Sequence, residues 1–118
     1  MIFALNEPEE IAPLVLLESL QTPGLRFVCV PVAVLSPKYQ LELTEEERSL
    51  LGGAAPDAEL QTLALITFWE GGAPTANLKA PVVLNPTTRR GIQSIQTENE
   101  QSILHPLHQE FAEGGPSC

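Results

Sequence analysis

Cysteine, tryptophan and aspartate are almost missing from this chain. Its 118 residues hold two Cys, one Trp, one Tyr and a single Asp, Asp57. Two thiols, Cys29 and Cys118, set no disulfide framework and suit a reducing cytosol better than secretion. Cys29 lies in an apolar run and reads as a small buried hydrophobe, while Cys118, the last residue, reads as a free thiol. Bases are scarce as well: 6 Lys+Arg stand against 15 Asp+Glu, a formal net charge of −9. That balance argues against direct nucleic-acid binding, which needs a basic face, and suits docking on a basic protein. No apolar stretch approaches the ~18 residues of a membrane-crossing helix. Met1–Leu5, followed by Glu7, Glu9 and Glu10, lacks the basic start and long apolar core of a secretory signal.

Eleven prolines leave no proline-free run longer than Thr87–His105, 19 residues. Long helices are therefore scarce, because an interior Pro removes a hydrogen bond and clashes with the preceding turn. The apolar runs between these breakers are short and rich in Val, Leu and Ile. The expectation is a mostly β protein, one antiparallel barrel or sandwich-like domain with a single short helix. The length suits one domain, expected over 1–108, with 109–118 as a frayed tail.

The run Ile11–Leu20 fits a strand, though a helix with Pro13 in its first turn also suits its spacing. Gln21-Thr22-Pro23-Gly24 reads as a type II turn into a second strand over Leu25–Leu35, which makes a hairpin. Lys38–Leu43 alternates as a half-exposed strand would. Thr44 and Glu47 have capping-box spacing, and Gly52-Gly53 ends the short helix predicted over Thr44–Leu51. Asp57–Glu70 allows a helix at its start and reads as a central strand over Leu63–Trp69, with Trp69 as core. Leu78, Ala80, Val82 and Leu84 alternate with Asn77, Lys79, Pro81 and Val83. Pro81 cannot donate to a ladder and marks an edge or a bulge. Asn85–Thr88 reads as a turn, Gly91 as a second bulge, Ile92–Thr97 as a weaker strand and Ile103–Leu107 as a last apolar anchor.

The chemical inventory is poor. His105 and His108 form an i, i+3 pair, but only Glu110 stands near as a further ligand, so an ordinary surface pair is the expectation. No serine has a nucleophile-elbow setting, and neither Gly-Gly pair has the lysine and spacing of a phosphate loop. The runs Glu7/Glu9/Glu10 and Glu45/Glu46/Glu47 read first as solvated faces. Arg89-Arg90 is a solvated turn or an anchor for a partner carboxylate or carbonyl. No catalytic, cofactor or metal residue is expected, and a binding module is the better reading.

Asn77-Leu78-Lys79-Ala80-Pro81-Val82-Val83-Leu84-Asn85, through Arg89-Arg90-Gly91-Ile92-Gln93, resembles the signature of the FliW family of flagellar assembly factors. Leu17-Glu18-Ser19-Leu20 with Pro23–Val30, and Pro37–Leu43 with Thr44-Glu45-Glu46, resemble further family segments in the same order. The resemblance implies a cytoplasmic, non-enzymatic, mostly β protein without cofactor. It also implies two partners, flagellin and the RNA-binding translational regulator CsrA, which the factor antagonises so that flagellin synthesis follows export. The alternative is a FliW-derived β module serving another protein. Family members usually carry a segment before the first hairpin, where this chain has only Met1–Pro13. The expectation is a strand edge that is covered by those residues, by a bulge or by self-association. Outward polar residues of the signature, with the acidic helix start, are the expected partner contacts: Asn77, Lys79, Pro81, Asn85, Arg89, Arg90, Gln93, Glu45, Glu46 and Glu47.

Overall fold

The computed structural model describes residues 2–53, 60–96 and 105–107. Among them, seven strands form one antiparallel sheet: β1 (Phe3–Asn6), β2 (Val15–Ser19), β3 (Arg26–Pro31), β4 (Gln61–Thr67), β5 (Thr75–Asn85), β6 (Arg90–Gln93) and β7 (His105–Pro106). The order is β1-β2-β3-β4-β5-β6, with β7 on the first two residues of β5. The sheet curls into a half-barrel. The hairpin of β2 and β3 closes as the sequence predicts: Leu25 N–H donates to Thr22 O at 3.1 Å, and Gly24 supplies the positive φ of 84° that a type II turn demands. Phe3–Asn6 supplies the cover expected for the edge of β2, pairing in register from Phe3↔Ser19 to Asn6↔Leu16.

Two apolar clusters form on the sheet. One gathers Val30, Ala64, Ala76, Leu78 and Leu107 beneath Val32 and half-buried Leu35 and Tyr39. The other gathers Val15, Leu17, Cys29 and Leu63, flanked by Phe3, Leu65, Val82 and Leu84. The first requires a departure from the sequence expectation. The strand predicted to Leu35 stops at Pro31, and Val32–Leu35 makes a single helical turn, α1, closed by Ser36 N–H on Val32 O at 2.8 Å. The pairing of β3 with β4 ends at Pro31↔Leu63, so the chain leaves the sheet there, and Pro37 bars a longer helix. Packing thus overrides the strand preference of a Val-rich segment. The single short helix of the expectation therefore has company: α1, a 3-10 turn at Glu9–Ile11, and the predicted helix itself, α2 (Glu45–Leu50).

Helix α2 begins and ends as its sequence dictates. Glu47 N–H donates to Thr44 Oγ1 at 3.1 Å, and Thr44 N–H donates back to the Glu47 carboxylate at 3.0 Å, which completes a capping box. At the other end Gly53 N–H reaches Arg48 O and Gly52 N–H reaches Ser49 O, the paired bonds of a Schellman motif. Gly52 needs its glycine twice over: its φ is 100°, and a Cβ there would lie 2.5 Å from Thr88 Cγ2.

Lys38–Leu43 is not a strand. Its alternation is present, with Tyr39, Leu41 and Leu43 half-buried and Lys38, Gln40 and Glu42 exposed, but no ladder forms. The Gln96 side chain takes the ladder's place: its Oε1 accepts from Glu42 N–H at 2.8 Å and its Nε2 donates to Glu42 O at 3.0 Å. Gly91 is not a bulge either. It pairs regularly with Leu84, and a Cβ there would stand 2.5 Å from Leu84 Cδ2. Residues 94–96 carry the β6 side of the sheet onward. The expectations for Asp57, Ile103, His108, Glu110, Cys118 and the 109–118 tail lie outside the described residues.

Candidate protein-binding surface

The signature segment folds into β5, and its residues account for one another. From Thr75 to Leu78 the even-numbered residues are buried; from Pro81 to Asn85 the odd-numbered ones are. The phase slips because β5 bulges. Its register to β4 runs Leu63↔Val82 and then Leu65↔Asn77, which sets residues 78–81 of β5 against Ala64 alone. A one-residue slip turns every later side chain to the opposite face. This corrects the alternation expected from sequence: Pro81, Val83 and Asn85 point inward, not out.

The bulge finds its hydrogen-bond partners within the chain. Asn77 Oδ1 accepts from Lys79 N–H at 2.9 Å and from Ala80 N–H at 3.0 Å, and Pro81 has no N–H to satisfy. The four carbonyls of residues 78–81 each find a donor. Tyr39 Oη donates to Leu78 O at 2.6 Å, Gln96 N–H to Lys79 O at 2.7 Å, Gln93 Nε2 to Ala80 O at 3.0 Å and Ser94 N–H to Pro81 O at 2.9 Å. Burial pushes the Tyr39 phenol up to about 12, which keeps it a donor across the neutral range.

The expected contact residues therefore divide. Pro81 and Asn85 are buried rather than presented on the surface. Asn85 instead joins α2 to the sheet: its Nδ2 donates to Leu51 O at 2.9 Å beside Thr88 Oγ1 at 2.6 Å, and its Oδ1 accepts from Thr87 N–H. Asn77 is half-buried and occupied by the bulge. Glu47 is half-buried; besides the capping box it accepts from the hydroxyl of buried Ser94 at 2.9 Å. Glu45, Glu46, Arg89, Arg90 and Gln93 are exposed, and Lys79 is half-buried. Arg89 closes the β5–β6 turn with φ at 62°, its N–H on Asn85 O at 2.7 Å. Packing of α2 against β6 brings the acidic helix and the arginine turn onto one side of the molecule.

Three residues escaped the sequence reading. Ser94 and Gln96 are buried polar residues that fasten residues 42–47 to the sheet, and nothing in the alternation of Ile92–Thr97 marks them. Trp69, expected in the core, is 48% exposed, with its indole N–H donating to Thr75 Oγ1 at 2.9 Å. Beside it Phe68 is 62% exposed. Strand β4 ends at Thr67, so both aromatics lie on the connection to β5 rather than under the sheet.

Nothing in the described residues invites catalysis. No group of three His, Cys, Asp or Glu among them is placed to hold a metal ion, and His105 sits half-buried in β7. Cys29 is fully buried and its thiol is pushed up to about 12 by desolvation, so it is no nucleophile. No helix among the described residues is long and apolar enough to cross a membrane. A surface opening of about 470 Å³ is lined by Leu5, Glu7, Pro31–Ala33, Tyr39, Leu41 and Leu60–Leu63.

Comparison with known proteins agrees with this architecture. The chain is 30% identical over 107 residues to the flagellar assembly factor FliW of Caldanaerobacter subterraneus subsp. tengcongensis, covering 91% of this chain and 71% of the relative. It is 34% identical over 110 residues to that of Geobacillus kaustophilus, covering 87% and 72%. A crystal structure of the flagellar assembly factor FliW superposes with a TM-score of 0.78 at 28% identity, covering 88% of this chain and 72% of that one. The family model described as FliW protein matches residues 2–107, spanning every strand of the sheet, and the chain belongs to the FliW family.

Proposed function

We propose that this chain is a non-enzymatic, cytoplasmic flagellar assembly factor that binds flagellin and the translational regulator CsrA in mutually exclusive complexes. On this reading, export of flagellin frees the factor, which then sequesters CsrA and releases flagellin messenger RNA for translation. The observation that carries the reading is the family match over residues 2–107, with the fold preserved at a TM-score of 0.78. The net charge of −9 supports it, because an acidic antagonist complements a protein that binds RNA phosphates. The working unit is the domain 1–108. Of the expected contacts, Glu45, Glu46, Arg89, Arg90 and Gln93 are exposed and Lys79 is half-buried.

The test is a three-way titration with purified flagellin and CsrA from the same source. The chain should bind each, each should displace the other, and the chain should release a flagellin leader RNA from CsrA. An absence of binding to both proteins would refute the proposal.

A further inference from the structure

Among the described residues, most large apolar side chains left exposed gather at one end of the sheet. Nine such described residues are exposed, and five of them, Ile2, Leu20, Phe27, Phe68 and Trp69, lie where β1 and β3 begin and β2 and β4 end. Antiparallel pairing forces this placement: Leu20 N–H donates to Ile2 O at 2.8 Å, and the β3–β4 register of Cys29↔Leu65, carried on by two residues, sets Phe27 beside Thr67. Phe27 leans on Phe3 with ring centroids 6.0 Å apart. Trp69 is held by its hydrogen bond to Thr75, so its indole is oriented before any partner arrives. Fixed aromatic anchors on a surface are the residues that dominate binding energy in protein interfaces.

Charge is distributed the other way. At this end the described residues carry Glu18, opposite Arg26 across the β2–β3 ladder, Arg26 itself and Glu70, whereas the chain as a whole holds 15 acids against 6 bases. A charge-poor apolar centre on a strongly acidic body fits an interface in which apolar anchors hold the partner and the surrounding field attracts it. That field repels anionic lipid surfaces and favours a basic protein. Of the two partners proposed above, the one that binds RNA must present a basic face.

We infer that the Phe27, Phe68 and Trp69 end of the sheet is the docking surface for the basic, RNA-binding partner, with apolar side chains of that partner seated against the aromatics. The inference rests on the functional reading above and assigns a surface to it. Trp69 is the only tryptophan of the chain, so its emission reports on its own burial.

The test titrates the full chain with purified CsrA, then with purified flagellin. Trp69 emission is recorded against a Trp69→Phe control that removes the signal. On CsrA binding, the emission should shift to the blue and acrylamide quenching should fall. In parallel, a Phe68→Ser/Trp69→Ser variant, checked for wild-type urea unfolding, should dissociate from CsrA about 10–100-fold faster, as truncation of central anchors does. Its salt dependence of association should be unchanged. A Glu45→Gln/Glu46→Gln variant should show the converse, a flatter salt dependence with the dissociation rate kept. Wild-type dissociation in the serine variant, or equal quenching of Trp69 free and bound, overturns the inference and leaves the functional reading standing. A blue shift on phosphatidylserine vesicles but not on CsrA overturns it in favour of a lipid surface. A wild-type chain that binds neither protein removes the functional reading and this inference together.

Discussion

Replacing Asn77 by alanine isolates the device that shapes β5. The side chain's Oδ1 is the acceptor for Lys79 N–H at 2.9 Å and Ala80 N–H at 3.0 Å, both in the bulge and both on half-buried residues. Alanine removes the acceptor and leaves two amides to find water in a partly closed place. At about 1 kcal/mol for each hydrogen bond lost, and more where desolvation stays uncompensated, the cost is about 2–3 kcal/mol. With a urea slope of about 1–3 kcal/mol per molar for a small domain, the midpoint falls by about 1 M. Asn77→Asp keeps a side-chain oxygen at the same place and should stay within about 1 kcal/mol of the parent. Urea unfolding followed by circular dichroism reads both variants. The reasoning fails if Asn77→Ala unfolds within about 0.5 kcal/mol of the parent, or if the aspartate variant is as unstable as the alanine one. In the first case Asn77 does not hold the bulge, and loss of partner binding without loss of stability would identify it as a contact residue.

Thr44→Ala should destabilise by about 1 kcal/mol, because it opens the capping box at the start of α2; an unchanged denaturation midpoint would show that the cap contributes nothing. Gly52→Ala should cost more than Gly53→Ala in the same assay, since both have positive φ but only at Gly52 would the new Cβ meet Thr88, whose hydroxyl also holds Leu51 O. Stability should fall as pH rises from 9 towards 12. The Cys29 thiol and Tyr39 phenol are both raised by burial to about 12 in the folded chain, so the unfolded chain releases their protons first; urea midpoints across that range that stay level would contradict the burial of both groups. Arg89→Ala with Arg90→Ala should leave thermal unfolding nearly unchanged, as exposed charges contribute little. If the turn anchors a partner, affinity for flagellin or CsrA should drop by about 1–3 kcal/mol, and wild-type affinity for both would make the turn purely structural.

Local chemistry decided the features that concern only a few consecutive residues. Thr44 with Glu47 and Gly52-Gly53 set the limits of α2, because capping bonds close within one turn of chain. Thr22-Pro23-Gly24-Leu25 set the hairpin, because φ at Gly24 is a property of that residue. Proline spacing ruled out long helices, and the signature Asn77–Gln93 marked both the family and a departure from a regular ladder at Pro81. What the sequence alone left open depends on groups far apart in the chain. The bulge changed the phase of β5, so Pro81 and Asn85 turned inward. Residues 38–43 alternate like a strand, yet Gln96, 54 residues beyond Glu42, holds that backbone with its side chain instead of a ladder. Val32–Leu35 coiled once the β3–β4 pairing ended, since a backbone that leaves its partner strand can meet its hydrogen bonds within its own turn. Trp69 went to the surface because β4 stops at Thr67, and the length of a strand is set by the strands that pair with it.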